Sequence, residues 1–120
     1  MSIRISSAKA KGRRLQQWVC KEISKLTGYE WGPDEQIASR EMGQSGVDIR
    51  LIADAKEAFP WSVECKACEN WAIHQWIEQA QGNRLPKTDW LLIAKRNRRP
   101  PVVVLSAEVF FDVLSLIPRQ

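Results

Sequence analysis

Gly46-Val47-Asp48-Ile49-Arg50-Leu51-Ile52 and Trp61-Ser62-Val63-Glu64-Cys65-Lys66-Ala67 are the stretches that decide the reading of this 120-residue chain. Both alternate. In the first, Val47, Ile49 and Leu51 point one way while Asp48 and Arg50 point the other. In the second, Trp61, Val63, Cys65 and Ala67 form an apolar face, and Ser62, Glu64 and Lys66 a polar one. A period of two marks a strand with one buried face. Strands are therefore expected over 47–52 and 61–67, joined by a connection with room for one helical turn. On such a strand Glu64 and Lys66 emerge on the same face about 7 Å apart. Asp48 sits on the polar face of the strand before, which is expected to pair with it.

Upstream, Leu15, Trp18, Val19, Ile23 and Leu26 recur at helical spacing, so a helix is expected from Ala8 to Thr27, stopped by Gly28. Gly32-Pro33-Asp34 reads as a turn, residues 36–42 as a short strand, and Gly43-Gln44-Ser45-Gly46 as another turn. Downstream, Asn70 is placed to cap a helix reaching Asn83, with Ile73, Trp76, Ile77 and Ala80 on its buried side. Trp90-Leu91-Leu92-Ile93-Ala94 reads as a central strand covered on both faces. A basic turn over 97–101, a strand over 102–105 and a helix capped by Ser106 complete the chain, the last helix apolar through Val109, Phe110, Val113, Leu114 and Ile117. The expected architecture is an α/β sandwich, helices packed on a mixed sheet in the order α, β-β-β, α-β-β-α. It forms one domain over residues 1–120.

Composition narrows the function. Apolar residues are 44% and charged residues 27% of the chain, as in an ordinary globular protein, which excludes disorder. No apolar run reaches membrane-spanning length and the N-terminus has no apolar signal core, so no membrane association is expected. Three cysteines fit reduced thiols, and a cytoplasmic location is expected. The net charge is +4. Arg4, Lys9, Lys11, Arg13, Arg14 and Lys21 precede the first acid, Glu22, and Lys95, Arg96, Arg98 and Arg99 form a second cluster. Two basic clusters point to a polyanion, with nucleic acid as the default; the plainer alternative is a solvated surface. The single histidine, His74, excludes two-histidine ribonuclease chemistry and multi-histidine metal sites.

The acids suggest the chemistry. Asp48 and Glu64 on neighbouring strands provide oxygen ligands for a hard cation such as Mg²⁺, with the backbone carbonyl of Cys65 between them. Lys66 is placed to orient or activate a water, or to neutralise a phosphate. Together these give metal-assisted phosphodiester hydrolysis. The alternative is a sheet face whose charges merely pair across strands.

Gly46-Val47-Asp48-Ile49 followed by Val63-Glu64-Cys65-Lys66 resembles the D-(x)n-(D/E)xK motif of the PD-(D/E)XK nuclease superfamily. Lys11-Gly12-Arg13-Arg14, Ser39-Arg40 and the turn at 43–46 look most like the small Holliday junction resolvases and related phage or repair nucleases. The resemblance implies a restriction-endonuclease-like α-β-β-β-α-β core, here extended by a C-terminal strand and helix. It implies a structure-selective, resolvase-like endodeoxyribonuclease that uses Mg²⁺, with Mn²⁺ as a substitute, acts on branched or duplex DNA, pairs as a homodimer and is bacterial or phage-encoded. Val47 replaces the proline of the family name. The resolvases also carry a first-helix glutamate where this chain has Gln16 and Gln17. A helical wheel sets Glu22 inside the apolar stripe, so Glu22 is expected to take that role; the alternative is a solvated Glu22 at the stripe's edge. A glutamine on the helix after ExK often faces the site in this superfamily, and Gln79 is the candidate here. Ser45 resembles a substrate-contacting loop serine. Lys9, Lys11, Arg13 and Arg14 are expected to hold phosphates, as are Arg96, Arg98 and Arg99 unless they only cover a solvated hairpin.

Two other readings compete. Cys65-Lys66-Ala67-Cys68 is a CxxC at a strand end, the position of a thiol-redox site, and zinc is conceivable with Cys20 and His74. A nucleic-acid-binding module on the same fold without catalysis is the third reading, opposed by the intact Asp48, Glu64 and Lys66. Of the tryptophans at 18, 31, 61, 71, 76 and 90 most are expected in the core, while Trp71 is placed to stack on a base or fill a dimer contact.

Overall fold

The computed structural model describes residues 2–41 and 45–119, with side chains described from Ser7 onward. The elements are α1 (Ser2–Thr27), β1 (Ile37–Ser39), β2 (Ile49–Leu51), α2 (Ala53–Ala58), β3 (Trp61–Ala67), α3 (Ile73–Gly82), β4 (Asp89–Lys95), β5 (Val102–Val104) and α4 (Ala107–Ser115). The strands divide into two sheets. β1 and β2 form an antiparallel pair, and β3-β4-β5 a mixed sheet in which β3 and β4 run parallel and β4 and β5 antiparallel. The expected three-strand run β1-β2-β3 is thus broken between β2 and β3. The helix α2 fills the connection there, and Asp48 N–H donates to the Val63 carbonyl at 2.9 Å to tie the two sheets together.

One core joins α1 to both sheets: Leu15, Val19, Cys20 and Ile23 meet Ile37, Ile49, Val63, Leu91 and Ile93. A second, smaller core lies on the other face of β4, where Trp76 of α3 covers Leu92 and Ala94. β4 is buried on both faces as its unbroken apolar run implies. β3 behaves the same way, against its alternating sequence: Ser62 and Glu64 are each only 2% exposed. α3 and the segment after it cover that face. Ser62 Oγ and Thr88 Oγ1 share a 2.7 Å hydrogen bond, and Ser62 Oγ accepts from Leu85 N–H at 2.9 Å. Those bonds offset the cost of burying the hydroxyl.

Several local expectations change. α1 begins before Ala8, and it ends on Gly28, whose φ of +82° is the left-handed conformation that favours glycine. Asn70 does not cap α3, whose first turn follows Ala72; the Trp71 indole N–H instead donates to the Cys68 carbonyl, holding 68–71 as a turn outside the helix. Of the expected core tryptophans only Trp76 is fully buried, and Trp18 is 43% exposed. Ser106 does cap α4, accepting from Val109 N–H at 3.5 Å, but no α4 residue is buried. Phe110, Phe111, Val113, Leu114, Leu116 and Ile117 all stand exposed. The turn expected at 43–46 and the end of the strand at Met42 lie partly outside the described residues. Among the described residues no helix is long and apolar enough to cross a membrane.

Candidate active site

Asp48 is anchored on β3 at two points. Its own N–H binds Val63 O, and its Oδ2 accepts from Cys65 N–H at 2.7 Å. The side chain therefore reaches β3 beside Glu64, and the two carboxyls lie within hydrogen-bonding reach of each other. Glu64 is buried, and its Oε1 accepts from Asn83 Nδ2 at 2.7 Å. Lys66, one residue beyond Cys65, directs Nζ to Gln79 Oε1 on α3, again at 2.7 Å. Asp48, Glu64, Cys65, Lys66 and Gln79 line one open trough whose other wall is α1 at Ala8, Gly12 and Gln16.

Burial raises the proton affinity of both acids. Glu64 rises from an ordinary 4.5 to about 7, first because it is desolvated and then because Asp48 opposes its charge, while the Asn83 amide works the other way. Asp48 is also raised by desolvation, against the Cys65 N–H, Lys66 and Arg40, which favour its ionised form. Both acids therefore hold their protons to higher pH than a solvated carboxyl does. Two crowded carboxylates with that electrostatic strain form an oxygen donor set suited to a divalent cation, which would relieve their repulsion. Among the described residues no three His, Cys, Asp or Glu side chains gather to hold a metal. A cation here would rest on Asp48, Glu64 and the Cys65 carbonyl, with water and phosphate completing the shell, as Mg²⁺ tolerates.

Glu22 is not brought to this site. It is half exposed and forms an ion pair with Lys25 at 2.9 Å. The reason is the rotation of α1. Its buried face runs through Leu15, Gln16, Val19, Cys20 and Ile23, leaving Trp18, Glu22 and Leu26 along the outer flank. Gln16, 4% exposed, is what α1 turns into the trough. Further residues escaped the sequence reading, among them Glu41, a third carboxylate lining the trough. Asn83 at the end of α3 joins Glu64 to the Gly46 carbonyl, 3.4 Å away, and Arg40 Nε donates to Val47 O at 2.6 Å, clamping the segment that delivers Asp48. Only the Ser39-Arg40 resemblance hinted at either.

The residues of the two basic clusters lie beside the trough or away from it. Lys11 and Arg14 border cavities that continue from it along α1, with Arg96 across from them. Lys9, Arg13, Arg98, Arg99 and Ser45 are exposed and line none of these cavities. Trp71 is engaged, with the Arg96 guanidinium 4.8 Å from its ring centroid and Trp76 tilted against it at 6.0 Å. The CxxC reading gains nothing. Cys20, Cys65 and Cys68 are free thiols, and burial pushes Cys65 well above the ordinary thiol range, the opposite of redox activation.

An Asp at the entrance of one strand and Glu-x-Lys on the next, set in a mixed α/β fold, have the pattern of the PD-(D/E)XK nuclease superfamily. Within it, the family model described as "Phage putative PDDEXK endonuclease" matches residues 7–117, and the chain belongs to that family. No curated protein and no solved structure matches the chain.

Proposed function

We propose that the protein is a Mg²⁺-dependent endodeoxyribonuclease that hydrolyses phosphodiester bonds in branched or duplex DNA. The observation that carries this reading is the juxtaposition of Asp48, Glu64 and Lys66 on one wall of an open trough, with Lys11 and Arg14 lining the cavities beside it. Asp48 and Glu64, with the Cys65 carbonyl, hold the cation, and Mn²⁺ is expected to substitute. When bound, the metal polarises the scissile phosphate and lowers the pKa of water. Gln79 fixes Lys66, whose ammonium orients the attacking water or offsets charge building on the phosphate. Asn83 and Arg40 hold the two acids in register as positioning residues. Lys9, Lys11, Arg13 and Arg14, and Arg96, Arg98 and Arg99, bind the DNA backbone without reading sequence. Ser45, exposed in the turn before Asp48, is the candidate loop contact to substrate.

Two such sites cut two strands, and α4 supports pairing of two copies. Its exposed Phe110 and Phe111, themselves in edge contact at 5.4 Å, continue through Leu114 and Ile117. With the exposed Val102 and Val103 of β5 they offer apolar surface on which a second copy could pack.

The test is incubation of purified protein with labelled four-way junction, flap and linear duplex, in Mg²⁺ or EDTA. Cleavage in Mg²⁺ alone is expected, lost in Asp48→Asn with DNA binding retained. Metal-dependent cutting by Asp48→Asn at the wild-type rate would move the site elsewhere.

A further inference from the structure

The trough does not end at the acids. It shares Ala8, Ala67 and Cys68 with a neighbouring cavity, which in turn shares Lys11 and Ala67 with a third of about 340 Å³. That third cavity has an unusual lining. Trp18, Leu15, Ala67 and Pro101 make it apolar, while Lys11, Arg14, Lys95 and Arg96 ring it with positive charge and no carboxylate lines it. Trp18 is the most exposed tryptophan expected in the core, lying on the flank of α1 that the rotation of the helix leaves outside the core. Arg96 is held at the rim by the Trp71 ring, and the Lys95 ammonium by the Arg96 carbonyl at 3.2 Å.

A flat apolar surface inside a ring of cations suits a ligand with the same two halves, a planar ring and flanking phosphates. The volume is at the lower end for small-ligand pockets, enough for one nucleoside but not for a stacked base pair. In a duplex the base faces are covered, so only an unpaired nucleotide offers one to Trp18. The shared lining residues set that nucleotide beside the acid-bearing trough.

Resting on the nuclease reading above, we propose that this cavity takes the base of an unpaired nucleotide against Trp18, its neighbouring phosphates on Lys11, Arg14, Lys95 and Arg96. The substrate class is then DNA with a single-stranded segment beside the cut, such as a flap or fork. Trp18 and Lys95 join the binding surface.

The experiment reads binding in EDTA, so it stands even if no cleavage is found. A fluorescein-labelled oligothymidine, an abasic strand of the same length and a blunt duplex are titrated by anisotropy. The wild-type protein should bind oligothymidine on the order of ten-fold more tightly than the abasic strand, the size of one stacked base. Trp18→Ala should erase that difference, Trp18→Phe should keep most of it, and neither should change duplex affinity beyond two-fold. Equal binding of the oligothymidine and abasic strands by the wild type would overturn the proposal without touching the nuclease reading, as would equal loss of single-strand and duplex affinity in Trp18→Ala. Loss of cutting in Asp48→Asn with these affinities unchanged separates the two.

Discussion

Replacing Glu64 with glutamine tests the electrostatic account of the site without any substrate. In the folded protein Glu64 gives up its proton near 7 rather than 4.5, so between those values the native state holds a proton that the unfolded chain has released. Stability therefore falls as pH rises through this window, reversing the usual carboxylate trend. The gap between 4.5 and about 7 corresponds to about 3 kcal/mol, present below the lower value and lost above the upper. Glu64→Gln mimics the protonated acid: its carbonyl oxygen still accepts from Asn83, and its amide can donate to Asp48. The variant should match the wild type near pH 5 and exceed it near pH 8 by up to about 3 kcal/mol. For a chain of this length that is on the order of 10 °C in Tm. Thermal denaturation followed by circular dichroism in EDTA, across pH 5 to 8, measures it, and comparing variant with wild type removes titrations that both share. Adding Mg²⁺ near pH 8 should raise the Tm of the wild type and much less that of the variant. Parallel curves for the two proteins, or a wild type that gains stability with rising pH, would refute the reasoning.

Gln16→Ala should lower cleavage at least ten-fold while Glu22→Gln leaves it within two-fold, because only Gln16 lines the trough; kinetics at limiting Mg²⁺ distinguish them. Asn83→Ala removes the donor to a buried carboxyl and should cost about 1–3 kcal/mol in denaturant melts; losing a bond that favours ionised Glu64 raises its pKa further, so activity should fall most at neutral and acidic pH and recover as pH rises. Arg13→Ala with Arg14→Ala should weaken all DNA binding equally and flatten its log–log salt dependence by roughly one unit per phosphate contact. Phe110→Glu with Phe111→Glu should convert a dimer to a monomer by light scattering; an unchanged mass would exclude α4 as the interface.

The sequence by itself determined the parts of this protein that depend on neighbours along the chain. Alternation located β3 and the spacing of Glu64 from Lys66, an unbroken apolar run marked β4 as central, and Gly28 ended α1. Asp48 and the ExK pair were legible because their residue types and strand positions are local properties. What depended on packing was hidden. The rotation of α1 is set by which side chains the two sheets accept: counting Trp18 and Leu26 with the stripe of Leu15, Val19 and Ile23 put Glu22 inward, whereas the core took Gln16 and Cys20 instead. Burial of Ser62 and Glu64 came from α3 and the Thr88 segment crossing a face that alternation marks as solvated. The raised pKa of Glu64, the Asn83 bond and the Trp18 cavity arise from groups far apart in sequence. Only the tertiary structure brings them together, because desolvation and charge coupling depend on distance through space.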